Sequence, residues 1–157
     1  MSRRDWLRTG LGLLAGTQVL VGLWIVLLPD TFWKWRWVSL LPPYNEHLLR
    51  DLGGAELALA VVLCAAVVTM ERRLVVTALA AYLTAAVPHL LFHARHLEPL
   101  PAGSGAGLMA LLGAGVVLPA ALLWLAATPS AFAGPEPAAQ RRSGDADYRS
   151  GGANSSS

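Results

Sequence analysis

The chain has 157 residues, of which 55% are hydrophobic and 14% charged. That length fits one domain, but the composition excludes a disordered chain and is more apolar than a soluble fold of this size can bury in a single core. Twelve Lys and Arg against ten Asp and Glu give a formal charge of +2, without the basic surplus that a phosphate backbone demands, so nucleic acid is not an expected partner. Cys64 is the single cysteine; it excludes an intrachain disulfide and a Cys-based zinc site, and its apolar surroundings read as packing.

The flank at residues 1–8 reads Ser2-Arg3-Arg4-Asp5-Trp6-Leu7-Arg8, which resembles a twin-arginine export signal. The apolar stretch after it is longer than a signal core, and no small-x-small cleavage site follows. An uncleaved first helix is therefore expected.

A bilayer core of about 30 Å needs about 20 apolar residues in a helix rising about 1.5 Å per residue. Four segments meet that requirement: residues 9–28, 52–70, 74–92 and 107–127. Hydrocarbon offers backbone amides no partners, and strand alternation is absent, so the expected fold is an all-α integral membrane protein with a four-helix bundle at residues 9–127. Within the first span, Gly12 and Gly16 form a GxxxG pattern, read as close packing inside the bundle.

Between the first two spans lies PDTFWKWRWVSLLPPYNEH. Trp33, Trp35 and Trp37 alternate there with Lys34 and Arg36, as in a short interfacial segment whose indoles sit at headgroup depth. Only Glu71, Arg72 and Arg73 separate spans two and three, which requires an antiparallel hairpin. Residues 128–157, rich in Ala, Gly, Pro and Ser, lack apolar periodicity and read as a disordered tail.

Arg3, Arg4, Arg8, Arg72, Arg73, Arg141 and Arg142 fall on one side of the spans, and Lys34, Arg36, Arg50 and Arg95 on the other. The excess marks the cytoplasmic side, so both termini are expected there.

This topology brings all four histidines of the sequence, His47, His89, His93 and His96, to the opposite face. His89, His93 and His96 recur at i, i+4 and i+7 on one helical stripe, with Tyr82 further down it. His47 and Asp51 share a stripe on the second span, Glu46 pairs with Arg50, and Asn45 is a candidate helix cap. Imidazole and carboxylate ligands suit zinc, iron, copper or manganese. His89 and His96 are about 10 Å apart along the axis, so one ion would take His89 with His93, or His93 with His96, completed by His47 and either Glu46 or Asp51. A second ion or a haem fits the spacing too, although no CxxCH motif is present. The competing reading is that these groups meet water at the interface and only tie helix ends together.

Glu56 stands alone inside the second span, where an unpaired charge is costly and an ionisable group is a functional candidate. It lies opposite the His47 and Asp51 stripe, so it is expected to face another helix rather than the histidine pocket, with Gln18 or Thr17 as partner. An interhelical clamp and a proton-relay role both fit it.

The motifs PPYNEHLLRDLGG and PHLLFHARHLE, set in these spans, resemble the uncharacterised four-span bacterial membrane proteins grouped as DoxX-like. The resemblance implies a four-helix bundle and makes Tyr44, Asn45, His47, Asp51, His89, His93 and His96 motif positions. Some members of that wider group oxidise sulfur compounds with quinone at the membrane, but a cysteine pair to match a thiol relay is missing here, so no reaction is carried over.

Two functional classes follow. In one, the outward His/Asp/Glu cluster binds a transition metal or a small polar ligand in a membrane redox or handling role. In the other, the protein is a structural or accessory subunit without an enzymatic activity. Transport is weaker, since no inverted repeat is visible and four spans would have to oligomerise to enclose a path. The expected partners are the bilayer and a second copy or another membrane subunit.

Overall fold

A computed structural model describes residues 2–39, 43–97 and 100–128. Apart from Thr128, the tail expected to be disordered lies outside the described residues. The elements are α1 (Arg3–Leu27), α2 (Pro29–Trp33), α3 (Glu46–Thr69), α4 (Arg72–Ala94) and α5 (Ala102–Ala127), with no strand among the described residues. Four of them, α1, α3, α4 and α5, are long and apolar enough to cross a membrane.

Local chemistry sets the boundaries. Ser2 caps α1 reciprocally with Asp5: the Asp5 amide donates to Ser2 Oγ at 3.1 Å and the Ser2 amide to Asp5 Oδ2 at 2.7 Å. The arginine-rich flank is thus the first turn of α1. Leu28 ends that helix because it precedes Pro29, which disfavours helical backbone before it and then opens α2 at N1. Asn45 caps α3 by accepting from the Leu48 amide at 3.0 Å. That cap starts α3 six residues before the span expected at 52, and α5 begins five residues before 107; both helices extend past their apolar stretch. The α3–α4 hairpin turns on Met70 in the left-handed region, φ 50°, with its side chain buried.

α1 packs most extensively on α3, and α4 on α5, while smaller α3–α4 and α1–α5 contacts close the ring. Lipid gives no hydrophobic drive for helix association, so small residues that let backbones approach matter here. Gly22 and Gly53 provide this between α1 and α3: a Cβ on Gly22 would lie 2.8 Å from Leu57 Cγ and 3.2 Å from the Gly53 carbonyl oxygen. At Gly12 and Gly16, the pair expected inside the bundle, an added Cβ would meet nothing within 4 Å. They face outward, so the close contact belongs to a different glycine pair.

The core has two parts. Leu7, Leu11 and Leu14 of α1, Leu63 and Ala66 of α3, Val75, Ala78 and Leu79 of α4, and Leu122 and Ala126 of α5 fill the end that carries the α1 N-terminus. A smaller cluster of Ile25, Phe32 and Leu49 closes the other end. Leu20, Val61, Val68, Val117 and Trp124 are exposed on the outer surface, as expected of helices that face lipid.

Candidate functional site

Between the two packed ends lies a cavity of about 540 Å³, within the range of about 300–1,000 Å³ typical of small-molecule sites. It sits in the seam between the α1/α3 and α4/α5 pairs. Leu14, Val21 and Ile25 of α1, Leu59 of α3, and Leu112 and Leu118 of α5 supply apolar wall. Phe32 of α2 stands at one end, its ring edge-on to Trp24 at 5.3 Å. Leu13, Leu52, Leu111 and His89 line the cavity and are also exposed, so it opens to the outside of the bundle.

The polar groups on this wall are few: Thr17 and Gln18 from α1, Glu56 from α3, and Tyr82 and His89 from α4. Glu56 is ten residues into α3, about 15 Å from its start, which places it near the middle of the span. Buried Gln18 donates its side-chain amide to the Glu56 carboxyl group. Thr17 instead donates to the Leu13 carbonyl at 2.9 Å, satisfied within its own helix. Tyr82 and His89, seven residues apart, share a face of α4, as their spacing requires. On α5, Pro119 has no amide to give the carbonyl of Gly115, a lining residue.

The sequence places Glu56 against another helix and away from the histidine pocket. It does face α1, yet it shares one cavity with His89, while His47 and Asp51 do not line that cavity. His47 Nε2 lies 3.4 Å from Asp51 Oδ2, with side chains 88% and 63% exposed, so this pair is solvated. Glu46 accepts from Arg50 Nε at 2.8 Å, and Arg50 Nη1 also donates to the Val26 carbonyl at 2.6 Å, tying the start of α3 to the end of α1.

The α4 histidines follow their helical spacing but spread over different partners. The His89 and His93 rings meet edge to face at 4.7 Å, and His93 Nδ1 is buried without a hydrogen-bond partner among the described residues. His96 stacks on Phe92 at 4.3 Å, and its Nδ1 lies 2.7 Å from the Phe92 carbonyl oxygen. A carbonyl only accepts, so Nδ1 carries the hydrogen. Among the described residues, no three His, Cys, Asp or Glu side chains are grouped to hold a metal ion. The expected ligand set, two α4 histidines completed by His47 and Glu46 or Asp51, is therefore not assembled among the described residues: His47 pairs with Asp51 and Glu46 with Arg50, all of them exposed.

The aromatic segment does more than line a membrane interface. Trp24, Trp35 and Trp37 form a chain of tilted ring contacts at 5.5 and 5.4 Å, and the Trp37 ring lies against Gly107 of α5. Arg36 donates to Ser104 at the start of the same helix. The segment thus straps α1 to α5 across the end of the cavity. Tyr44, packed edge-on to Trp33 at 5.8 Å, hydrogen-bonds Asp30, which pushes its hydroxyl pKa up to about 12.

The cavity itself was not readable from spacing, because it depends on how α5 seats against α1 and α4. The signal within reach was the joint presence of one acid and one amide, Glu56 and Gln18, inside otherwise apolar spans. No protein family, no curated protein and no solved structure matches the chain.

Proposed function

We propose that this is a multi-pass membrane protein that binds a small, mostly apolar molecule in the cavity between its helices, with both termini on the cytoplasmic side. The observation that carries this reading is the cavity: apolar walls, access from outside the bundle, and Glu56, Gln18, Tyr82 and His89 as the few polar groups that would orient a ligand. The Lys and Arg distribution supports the orientation, and the DoxX-like resemblance of the two histidine motifs supports the four-span reading. The ligand expected from the sequence moves from the water-exposed ends of α3 and α4 into the seam. A transition metal is the less favoured ligand, because no three protein donors stand together among the described residues.

The test is photolabelling of the purified protein with a small neutral apolar diazirine. Saturable labelling should map to cavity residues such as Ala86 and Leu112 and should be lost in Gly115→Leu, whose side chain would project into the cavity. Labelling confined to outward residues such as Val68 and Trp124, or labelling that never saturates, overturns the reading. That result would favour the structural subunit, in which the Gln18–Glu56 hydrogen bond only joins α1 to α3.

A further inference from the structure

The cavity has a property that its size does not require. It contains one carboxyl group, Glu56, and no Lys or Arg lines it among the described residues. Each element packed around Glu56 adds few groups to the cavity wall. α1 brings Gln18 and Thr17, which carry no charge; α2 brings Phe32; α4 brings Tyr82 and His89; and α5 brings only apolar residues. A carboxylate at this depth without a positive partner is strongly disfavoured, so the group is held as the neutral acid or matched by a cation from outside the protein.

Gln18 suits both states. Its amide N–H donates to Glu56, and an acceptor oxygen is available on the carboxyl group whether or not it carries a proton. The rest of the wall suits a particular kind of cation. An inorganic ion stripped of its water would need several oxygen or nitrogen donors at short range, and no three His, Cys, Asp or Glu side chains are grouped among the described residues to supply them. An organic cation with its charge inside an apolar shell needs only the apolar wall, one carboxylate and aromatic rings, which attract cations over their faces. Phe32 and Tyr82 are the rings that line the cavity.

Resting on the ligand-binding reading above, we infer that the ligand is a lipophilic monovalent cation, an alkyl- or aryl-substituted ammonium or phosphonium, that exchanges with a proton on Glu56. The exchange balances. The neutral acid and the cation become a carboxylate–cation pair, the O–H bond of Glu56 breaks, and one proton leaves to water. The cavity itself stays neutral, with one cation in and one proton out. Access through the seam, where Leu13, Leu52 and Leu111 are exposed, lets such a molecule arrive from the lipid, where it already partitions.

The experiment uses the full chain in detergent with tetraphenylphosphonium as the probe. Binding is measured by equilibrium dialysis over a range of pH, with Gly115→Leu as the filled-cavity background, and proton release is followed with an indicator in weakly buffered solution. The expected result is one proton released per cation bound, with apparent affinity rising about tenfold per pH unit while Glu56 is protonated in the free protein. Glu56→Gln should weaken binding at least 100-fold and abolish the proton release, and Glu56→Asp should retain both in weaker form. His89→Gln should leave the proton count at one, which assigns the proton to Glu56.

The neutral diazirine keeps the two readings apart. Saturable cavity labelling in wild type shows that the cavity binds, and a cooperative unfolding transition in detergent shows that Glu56→Gln folds. If tetraphenylphosphonium then fails to bind wild type at any pH, or binds Glu56→Gln equally well, the cation inference falls while the ligand-binding reading stands. If neither probe shows saturable binding, both fall.

Discussion

The side chain of Gln18 donates a hydrogen bond to the carboxyl group of Glu56, 38 residues later in the chain. This contact joins α1 to α3 between the two packed ends of the bundle, where the cavity interrupts close packing. The only buried polar side chain of the described core, Gln18, is thereby committed to the one acid inside a span. Any ligand that reaches Glu56 meets a carboxyl group already oriented by its neighbour.

Replacing Gln18 by Leu should leave Glu56 in an apolar cavity without its donor. Interhelical hydrogen bonds in membranes average about 0.6 kcal/mol and reach about 1.7 kcal/mol, so Gln18→Leu is expected to destabilise the bundle by an amount in that range. Removing both partners in Gln18→Leu/Glu56→Leu should recover stability relative to the single variant, since no stranded polar group remains. Unfolding in detergent by increasing denaturing surfactant measures the cycle. Strictly additive losses would mean that the two side chains are not coupled.

The glycines separate into two sets with opposite expected behaviour. A Cβ on Gly53 would come within 2.8 Å of Val26 Cγ2 and 2.9 Å of Ile25 Cγ2, and both neighbours are β-branched side chains with little freedom to move. Gly53→Ala, and Gly22→Ala against the Gly53 carbonyl, should each cost about 1–3 kcal/mol as α1 and α3 are forced apart. Gly12→Ala and Gly16→Ala should leave unfolding unchanged, having open space around them. Equal losses at all four positions would contradict this helix pairing.

The span count, the hairpin at 71–73, the Asn45 cap, the Glu46–Arg50 pair and a first-span partner for Glu56, Gln18 or Thr17, were all legible in the sequence, because each follows from hydropathy, spacing along one helix or a scarcity of polar groups; the fold decides for Gln18. What was not legible depends on rotation and tilt between helices. His47 stands at the same end of the bundle as His89 and His93, yet that common end does not bring the side chains together: His47 points to water with Asp51, and His89 turns to the seam. The GxxxG motif failed for the same reason. A small-residue stripe reports a surface that permits close approach, and the face actually used is decided by shape, here by Gly22 and Gly53 against Leu57, Ile25 and Val26.

At the end carrying the α1 N-terminus, Arg72 takes up carbonyls that α5 leaves unpaired. Its Nε donates to the Ala126 oxygen at 3.1 Å and its Nη2 to the Ala127 oxygen at 2.9 Å. A cation at a helix C-terminus is favoured by the macrodipole as well as by these hydrogen bonds. Arg72→Ala should therefore fray the last turn of α5 and lower stability by about 1 kcal/mol. Arg72→Lys should recover only part of that, because a single ammonium does not match the two-point guanidinium geometry. Faster amide exchange confined to residues 123–127 is the expected signature, and unchanged exchange there would remove this role.

Outside the spans, the Tyr44–Asp30 hydrogen bond makes a prediction about alkaline pH. Asp30 accepts from the neutral phenol, so the bond favours the protonated form and raises the Tyr44 pKa from 10.0 to about 12 in the folded protein. A raised folded-state pKa contributes stability that is fully present below the unfolded value near 10 and is lost as pH rises through 12. An ultraviolet titration should accordingly show a tyrosinate step near pH 12 that disappears in Tyr44→Phe. That variant should also be less sensitive than wild type to pH between 10 and 12 in thermal unfolding. A Tyr44 that ionises near 10 would mean that this bond does not link α2 to the start of α3, leaving the Tyr44–Trp33 ring contact as the tie between them.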